Sequence, residues 1–172
     1  KNTTTGYNTA VGNYALTNST TADSNCAVGS SALGLNTTGA ENIAIGRNAM
    51  YNNSTGSNNV GIGHNALDSN TTGTQNTAIG TLALQANTTA IHNTAIGYRA
   101  LYTHVTGNDN TAVGQEALYT NNGGTGNTAL GRRSMQLNTT GISNTAVGEY
   151  SLAASTGNYN VAVGSNALYA TT

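Results

Sequence analysis

A phrase of the form Asn-x-Ala-[Val/Ile/Leu]-Gly begins at Asn8, Asn25, Asn42, Asn59, Asn76, Asn93, Asn110, Asn127 and Asn144, each 17 residues after the last. A tenth copy begins at Asn160, one residue early. A fixed period of this size marks a stacked repeat, and it constrains the fold more tightly than any local propensity. With that Asn as position zero, the copies define coils 1 to 10. Position +2 is Ala in every coil but one, where it is Gly61, and position +4 is always Gly. Position +3 is Val, Ile or Leu. Position +7 is Ala or Ser, and +8 is Leu or Met. Positions +11 to +14 favour Asn-Thr-Thr-Gly, as in 36–39, 70–73 and 138–141.

Each column has a physical reading. Asn-Thr-Ala-Val-Gly is a short β-type run, closed by a residue free to adopt a turn. The Ala-Leu pair reads as a second short strand, and Asn-Thr-Thr-Gly as a turn. A helix is excluded, because Gly and the Asn-Thr-Thr-Gly turn interrupt the Ala-Leu pairs within every period. The expected fold is therefore all-β: a parallel β-roll, or β-solenoid, of ten coils. At about 4.8 Å per coil the stack would be roughly 48 Å long. The chain has no Pro, as a ladder that uses every strand amide requires. It is read as a single solenoid domain spanning residues 1–172, a segment of a longer fibre.

Stacking turns the columns into ladders. The ten position-zero asparagines should bond amide to amide along the axis. The two larger apolar columns, +3 and +8, are assigned to the interior. Strand parity then turns the alanines outward. Ala78, Ala95, Ala112, Ala129 and Ala146 would make a flat stripe suited to close packing against another chain. A coil this poor in large apolar side chains buries little surface alone, which also argues for an oligomer.

The phrase Asn-[Thr/Val/Ile]-Ala-[Val/Ile/Leu]-Gly followed by Ala-Leu resembles the head repeats of trimeric autotransporter adhesins of the YadA type. It is also similar to the repeat arrays of phage tail fibres and bacterial surface fibres. The resemblance runs from about Gly6 to Tyr169. It implies a left-handed roll, a homotrimer, and an extracellular setting on a virion tail fibre or a bacterial cell surface.

Composition narrows the function. Net charge is −1 with only 6% charged residues, without the basic footprint of a nucleic-acid binder. No apolar run approaches the roughly 18 residues of a membrane span. His64, His92 and His104 occupy unrelated coil positions and read as exposed turn residues, so neither a metal nor a catalytic site is expected. Cys26 stands where Thr is usual and reads as a small apolar substitute. The glycines fit no phosphate-binding loop, and the acids form no calcium-binding column. No cofactor is expected. Asn36, Asn70, Asn87 and Asn138 lie in Asn-x-Thr sequons that could carry sugar, although each reads more simply as a turn residue.

Charge and aromatic residues do show order. Arg99, Glu116 and Arg133 share position +6 of successive coils, and Arg132 and Glu149 share +5. Tyr51, Tyr102, Tyr119 and Tyr169 share +9. These are the candidate surface contacts for a cell-surface receptor or glycan. The expected function is a non-enzymatic structural and adhesive fibre segment, as shaft or head. An alternative is an ice-binding solenoid using Thr rows. Its +1 row (Thr9, Thr77, Thr94, Thr111, Thr128, Thr145) is broken by Cys26, Ile43, Val60 and Val161, and its +13 row lies in a turn. Further alternatives are a filament subunit stacking end to end, and a depolymerase, which would need paired carboxylates on a groove.

Overall fold

The computed structural model describes residues 6–170. Each coil contributes one three-residue strand: β1 Thr9–Val11, β2 Cys26–Val28, β3 Ile43–Ile45, β4 Val60–Ile62, β5 Thr77–Ile79, β6 Thr94–Ile96, β7 Thr111–Val113, β8 Thr128–Leu130, β9 Thr145–Val147 and β10 Val161–Val163. They form one parallel sheet in chain order from β1 to β10. Equivalent residues pair at every step, as Thr94 with Thr111, Ala95 with Ala112 and Ile96 with Val113. The short ninth coil does not shift the register, since Val161 still pairs with Thr145. The missing residue is absorbed in the turn, where Gly157 follows Thr156 directly. The chain is a β-solenoid with a 17-residue coil.

The Ala-Leu stretch is not a second strand. Residues at +6 and +8 hold left-handed backbone, as Ser31 (φ 59°) and Leu33 (φ 50°) do. Each such non-glycine residue costs about 1–2 kcal/mol. The cost is offset because the wall is still laddered. The amide of Ser31 donates to Asn13 O in the coil before (2.8 Å), and that of Leu33 to Ala49 O in the coil after (3.0 Å). The same conformation turns the +8 side chain inward. Leu16, Leu33, Met50, Leu67, Leu84, Leu101, Leu118, Met135 and Leu152 are all fully enclosed. Burying one such side chain is worth about 1.5–3 kcal/mol.

Strand parity runs opposite to expectation. Ala78, Ala95, Ala112, Ala129 and Ala146 have no exposed surface, so they are interior residues and not an outward oligomer face. The +3 residues point out instead, with Ile79, Ile96 and Leu130 at 36–37% exposure. The reason is thickness. One thin coil has room between its walls for a Leu from the corner and a methyl from the strand, not for two large side chains. Gly61 shows how tight the fit is: a Cβ there would lie 2.7 Å from Met50 Cγ. The longer methionine fills the space that the missing methyl leaves.

The +4 glycines close each strand at φ between 122° and 134°. At Gly97 a Cβ would lie 2.7 Å from the Gly114 carbonyl oxygen of the next coil. Both the backbone and the close approach of successive coils exclude a side chain there. At +7 the two serines keep the interior satisfied: Ser134 Oγ and Ser151 Oγ each donate to a +4 glycine carbonyl three residues back.

Candidate functional site

Three surfaces follow from this coil: a polar interior, an apolar sheet face and a corner rich in aromatic and charged groups. The interior beside the Ala and Leu columns is built from asparagines. At position zero, the backbone N–H of Asn42 donates to Asn25 Oδ1 (3.0 Å), and that of Asn59 to Asn42 Oδ1 (3.0 Å). The same bond joins Asn76, Asn93, Asn110, Asn127, Asn144 and Asn160 each to the asparagine before it, and Asn25 to Asn8. Side-chain amides add a second strand to the ladder, as Asn110 Nδ2 to Asn93 Oδ1 (3.1 Å).

Position +11 forms a parallel ladder that the position-zero column does not reveal. Asn53 Nδ2 donates to Asn36 Oδ1 (3.0 Å), Asn70 to Asn53 (2.7 Å) and Asn87 to Asn70 (2.8 Å). Both ladders converge on the carbonyl at +14. Gly56 O, for instance, accepts from Asn42 Nδ2 (2.8 Å) and Asn53 Nδ2 (2.9 Å). Each buried Nδ2 of the two columns thus finds an oxygen along the axis or across the coil, as burial of polar groups requires. Asn87 Oδ1 is the one buried ladder oxygen among the described residues that receives no bond. The sequon residues Asn36, Asn70, Asn87 and Asn138 belong to this ladder and have no exposed surface. The folded coil presents none of them for glycosylation.

His104 stands in the same ladder. It is fully buried, which corrects its assignment as an exposed turn residue. Its Nε2 lies 2.5 Å from Gly107 O, and its Nδ1 lies 2.8 Å from Asn121 O and 3.4 Å from Asn121 Nδ2. A neutral ring has one N–H: from Nε2 it donates to Gly107 O, the +14 carbonyl, as an asparagine does, and the Nδ1 lone pair is left facing Asn121 O at 2.8 Å with Asn121 Nδ2 farther off at 3.4 Å. Burial pushes its pKa below the ordinary value, against the two carbonyl contacts, which favour the charged form. Of the other histidines, His92 is exposed and His64 is half-buried. His64 Nε2 meets an Arg47 guanidinium nitrogen at 2.6 Å. His92 bridges Gln75 Oε1 (2.7 Å) and Asp109 Oδ1 (3.2 Å) across three coils. Half-burial raises the Asp68 carboxyl above its usual range, while His64 pulls the other way. Among the described residues no group of three His, Cys, Asp or Glu is placed to hold a metal ion.

The outer sheet face carries positions +1 and +3. Its +3 row is Val, Ile or Leu throughout. Its +1 row begins with Thr9, Cys26, Ile43 and Val60, runs as Thr77, Thr94, Thr111, Thr128 and Thr145, and ends at Val161. Cys26 is a half-buried free thiol in this row.

The corner at +5, +6 and +9 holds seven of the nine tyrosines and all four arginines. The ladder of corner turns sets them one above another. Tyr102 and Tyr119 stack with centroids 5.3 Å apart and planes 16° apart, and Tyr150 and Tyr169 lie tilted at 6.2 Å. Glu116 Oε2 accepts from Arg133 Nε (2.7 Å) and Gln136 Nε2 (3.1 Å), and Arg133 also donates to Tyr150 Oη (2.8 Å). Arg132 pairs with Glu149 through Nε (2.7 Å) and a terminal nitrogen. Arg99 does not join Glu116. Its guanidinium lies over the rings of Tyr98 (5.0 Å) and Tyr102 (5.3 Å). Tyr51 stands apart from this group, its ring laid over Gly34, where a Cβ would come within 2.8 Å. The +9 column alone did not reveal Tyr98 and Tyr150. The signal was their place in the +5 and +6 columns, beside the charges.

No family model matches the chain, and no curated protein or solved structure matches it. Fold and surfaces together define a parallel β-solenoid with an asparagine-laddered interior, one apolar flat face and one aromatic, charged corner.

Proposed function

We propose that the chain is a structural and adhesive fibre segment: a homotrimeric shaft or head, displayed on a virion tail fibre or bacterial cell surface, that carries or makes contact with a surface glycan. The observation that carries this reading is the outward +1/+3 face. Ile43, Ile45, Ile79, Ile96 and Leu130 each keep 36–41% of their surface exposed, in register down a flat sheet. A continuous apolar patch of this kind favours burial against another protein surface. A second copy presents the same flat face in the same register. The number three comes from the resemblance of the repeat to trimeric adhesin heads. Stiffness along the fibre comes from the backbone and asparagine ladders, and the tyrosine-arginine corner stays outside the interface.

Light scattering on a sizing column, with a Ile79→Lys, Ile96→Lys, Leu130→Lys variant beside the wild type, tests the reading. The expected result is a mass near three chains that falls to one chain in the variant. A single-chain mass for the wild type at every concentration would sink it.

One observation favours a second reading. Thr77, Thr94, Thr111, Thr128 and Thr145 form an unbroken outward row on the flat face, half-buried between neighbours. A regular Thr row is the surface an ice-binding solenoid would use. Thermal hysteresis in a monomeric preparation would support it, and its absence would remove it.

A further inference from the structure

Among the described residues, Arg99 is the one arginine of the corner with no acceptor. Arg132 and Arg133 each have a carboxylate, and Arg47 has His64. Arg99 Nε is enclosed and without a hydrogen-bond partner among the described residues. Its nearest column neighbour, Glu116, is turned away toward Arg133 and Gln136. What lies against the guanidinium is aromatic: its central carbon is 5.0 Å from the Tyr98 ring centroid and 5.3 Å from that of Tyr102. Tyr119 extends that wall by stacking on Tyr102, while Tyr98 remains 41% exposed. Position 99 shares the left-handed backbone (φ 54°) of the +6 column, which carries Asn48 and Asn65 in two coils and Leu82, Glu116 and Arg133 in others. The Arg99 guanidinium is thus set against two rings, with no acceptor for its charge among the described residues.

We propose that Tyr98, Arg99, Tyr102 and Tyr119 form a binding site for an anionic saccharide. The proposal rests on the adhesive reading above and names the ligand class for it. A guanidinium offers paired N–H donors to a carboxylate or a sulfate ester. The exposed ring of Tyr98 offers an apolar face for the C–H face of a pyranose, and an amphipathic, rigid side chain gives that contact at little entropic cost. An acidic sugar supplies both groups on one ring, which a neutral sugar or a free anion does not.

Ligand-observed NMR on the full chain, at low salt, is the test. The probes are tetragalacturonate for the carboxylate, a sulfated carrageenan tetrasaccharide for the sulfate ester, and maltotetraose as the neutral comparison. The variants are Arg99→Asn, which installs the residue other coils carry, and Tyr98→Ala. Arg47→Gln, three coils away, is the control. Binding of one or both acidic probes, weakened about 10- to 100-fold by Arg99→Asn and unchanged by Arg47→Gln, supports the site. The probe that binds identifies the acid. Equal binding of maltotetraose, no binding of any probe, or indifference to Arg99→Asn overturns it. Mass measured on the same samples separates the two ideas: a trimer that binds nothing rejects the site and leaves the fibre, and a monomer that binds does the reverse.

Discussion

Asn87 Oδ1 receives no hydrogen bond, because the rung that follows it in the +11 ladder is His104. In Asn53, Asn70 and Asn87 the two Nδ2 protons serve the +14 carbonyl and the Oδ1 of the coil before. The histidine has one, and it goes to Gly107 O. A buried acceptor left unsatisfied costs about 1–3 kcal/mol. His104→Asn should therefore stabilise the chain by about that amount, read as a higher denaturation midpoint. A variant that unfolds earlier than wild type would show that the ring contributes packing the amide does not replace.

The same residue sets a pH dependence. Burial holds its folded pKa below the ordinary value of 6.5, so the unfolded chain takes up a proton that the folded chain refuses. Stability from this group is complete above about pH 6.5 and is lost as pH falls below it. The melting temperature should drop between about pH 7.5 and pH 5, and His104→Asn should flatten that slope. A wild-type slope equal to that of the variant would assign the effect to other groups.

Gly61 and Met50 are a matched pair across the interior. Gly61→Ala alone should cost about 1–3 kcal/mol by overpacking. With Met50→Leu added, the coil regains the Ala and Leu of its neighbours, and the loss should be recovered or reversed. Urea unfolding of both single variants and the double variant closes the cycle. Simple additivity would mean that the two side chains do not compete for the same space.

How much of this was legible depends on which property each column expresses. The period of 17, the parallel stack and the position-zero ladder are properties of spacing, and spacing survives any error about which way a side chain points. The inside and outside of the sheet depend on cross-section. Ile96 is larger and more apolar than Ala95, and size alone assigns it to the interior. The coil is too thin for Ile96 opposite Leu101, so Ala95 goes in. The corner was misread for a different reason. Leu101 has left-handed backbone (φ 51°), which nothing in a leucine announces and which only the ladder to Ala117 O (3.0 Å) makes affordable. The +11 column looked like turn chemistry, because an isolated Asn-Thr-Thr-Gly is a turn. Stacking converts its first residue from a surface amide into core. The corner patch was half visible: the +6 and +9 columns were readable, but the pairing of Glu116 with Arg133 and not Arg99 is a matter of rotamers.

An interior built on amides should tolerate apolar change less well than surface change, and charge least of all. Asn110 Nδ2 donates to Asn93 Oδ1 (3.1 Å), Asn108 O (3.0 Å) and Gly124 O (2.9 Å). Asn110→Asp keeps the shape and removes both N–H donors that these three oxygens share. It leaves a carboxylate facing three oxygens at full burial, a case of buried charge without a partner that costs about 3–5 kcal/mol. The loss should shrink at low pH, where the carboxyl is protonated and regains one donor. Asn158→Asp is the comparison. That side chain is exposed, and its contribution is an oxygen accepting from the Ile142 amide, which Asp retains. Its effect should stay within about 0.5 kcal/mol. Chemical denaturation of the two variants, at neutral and acid pH, decides the matter. Equal effects would mean that the ladder follows the stack without holding it together.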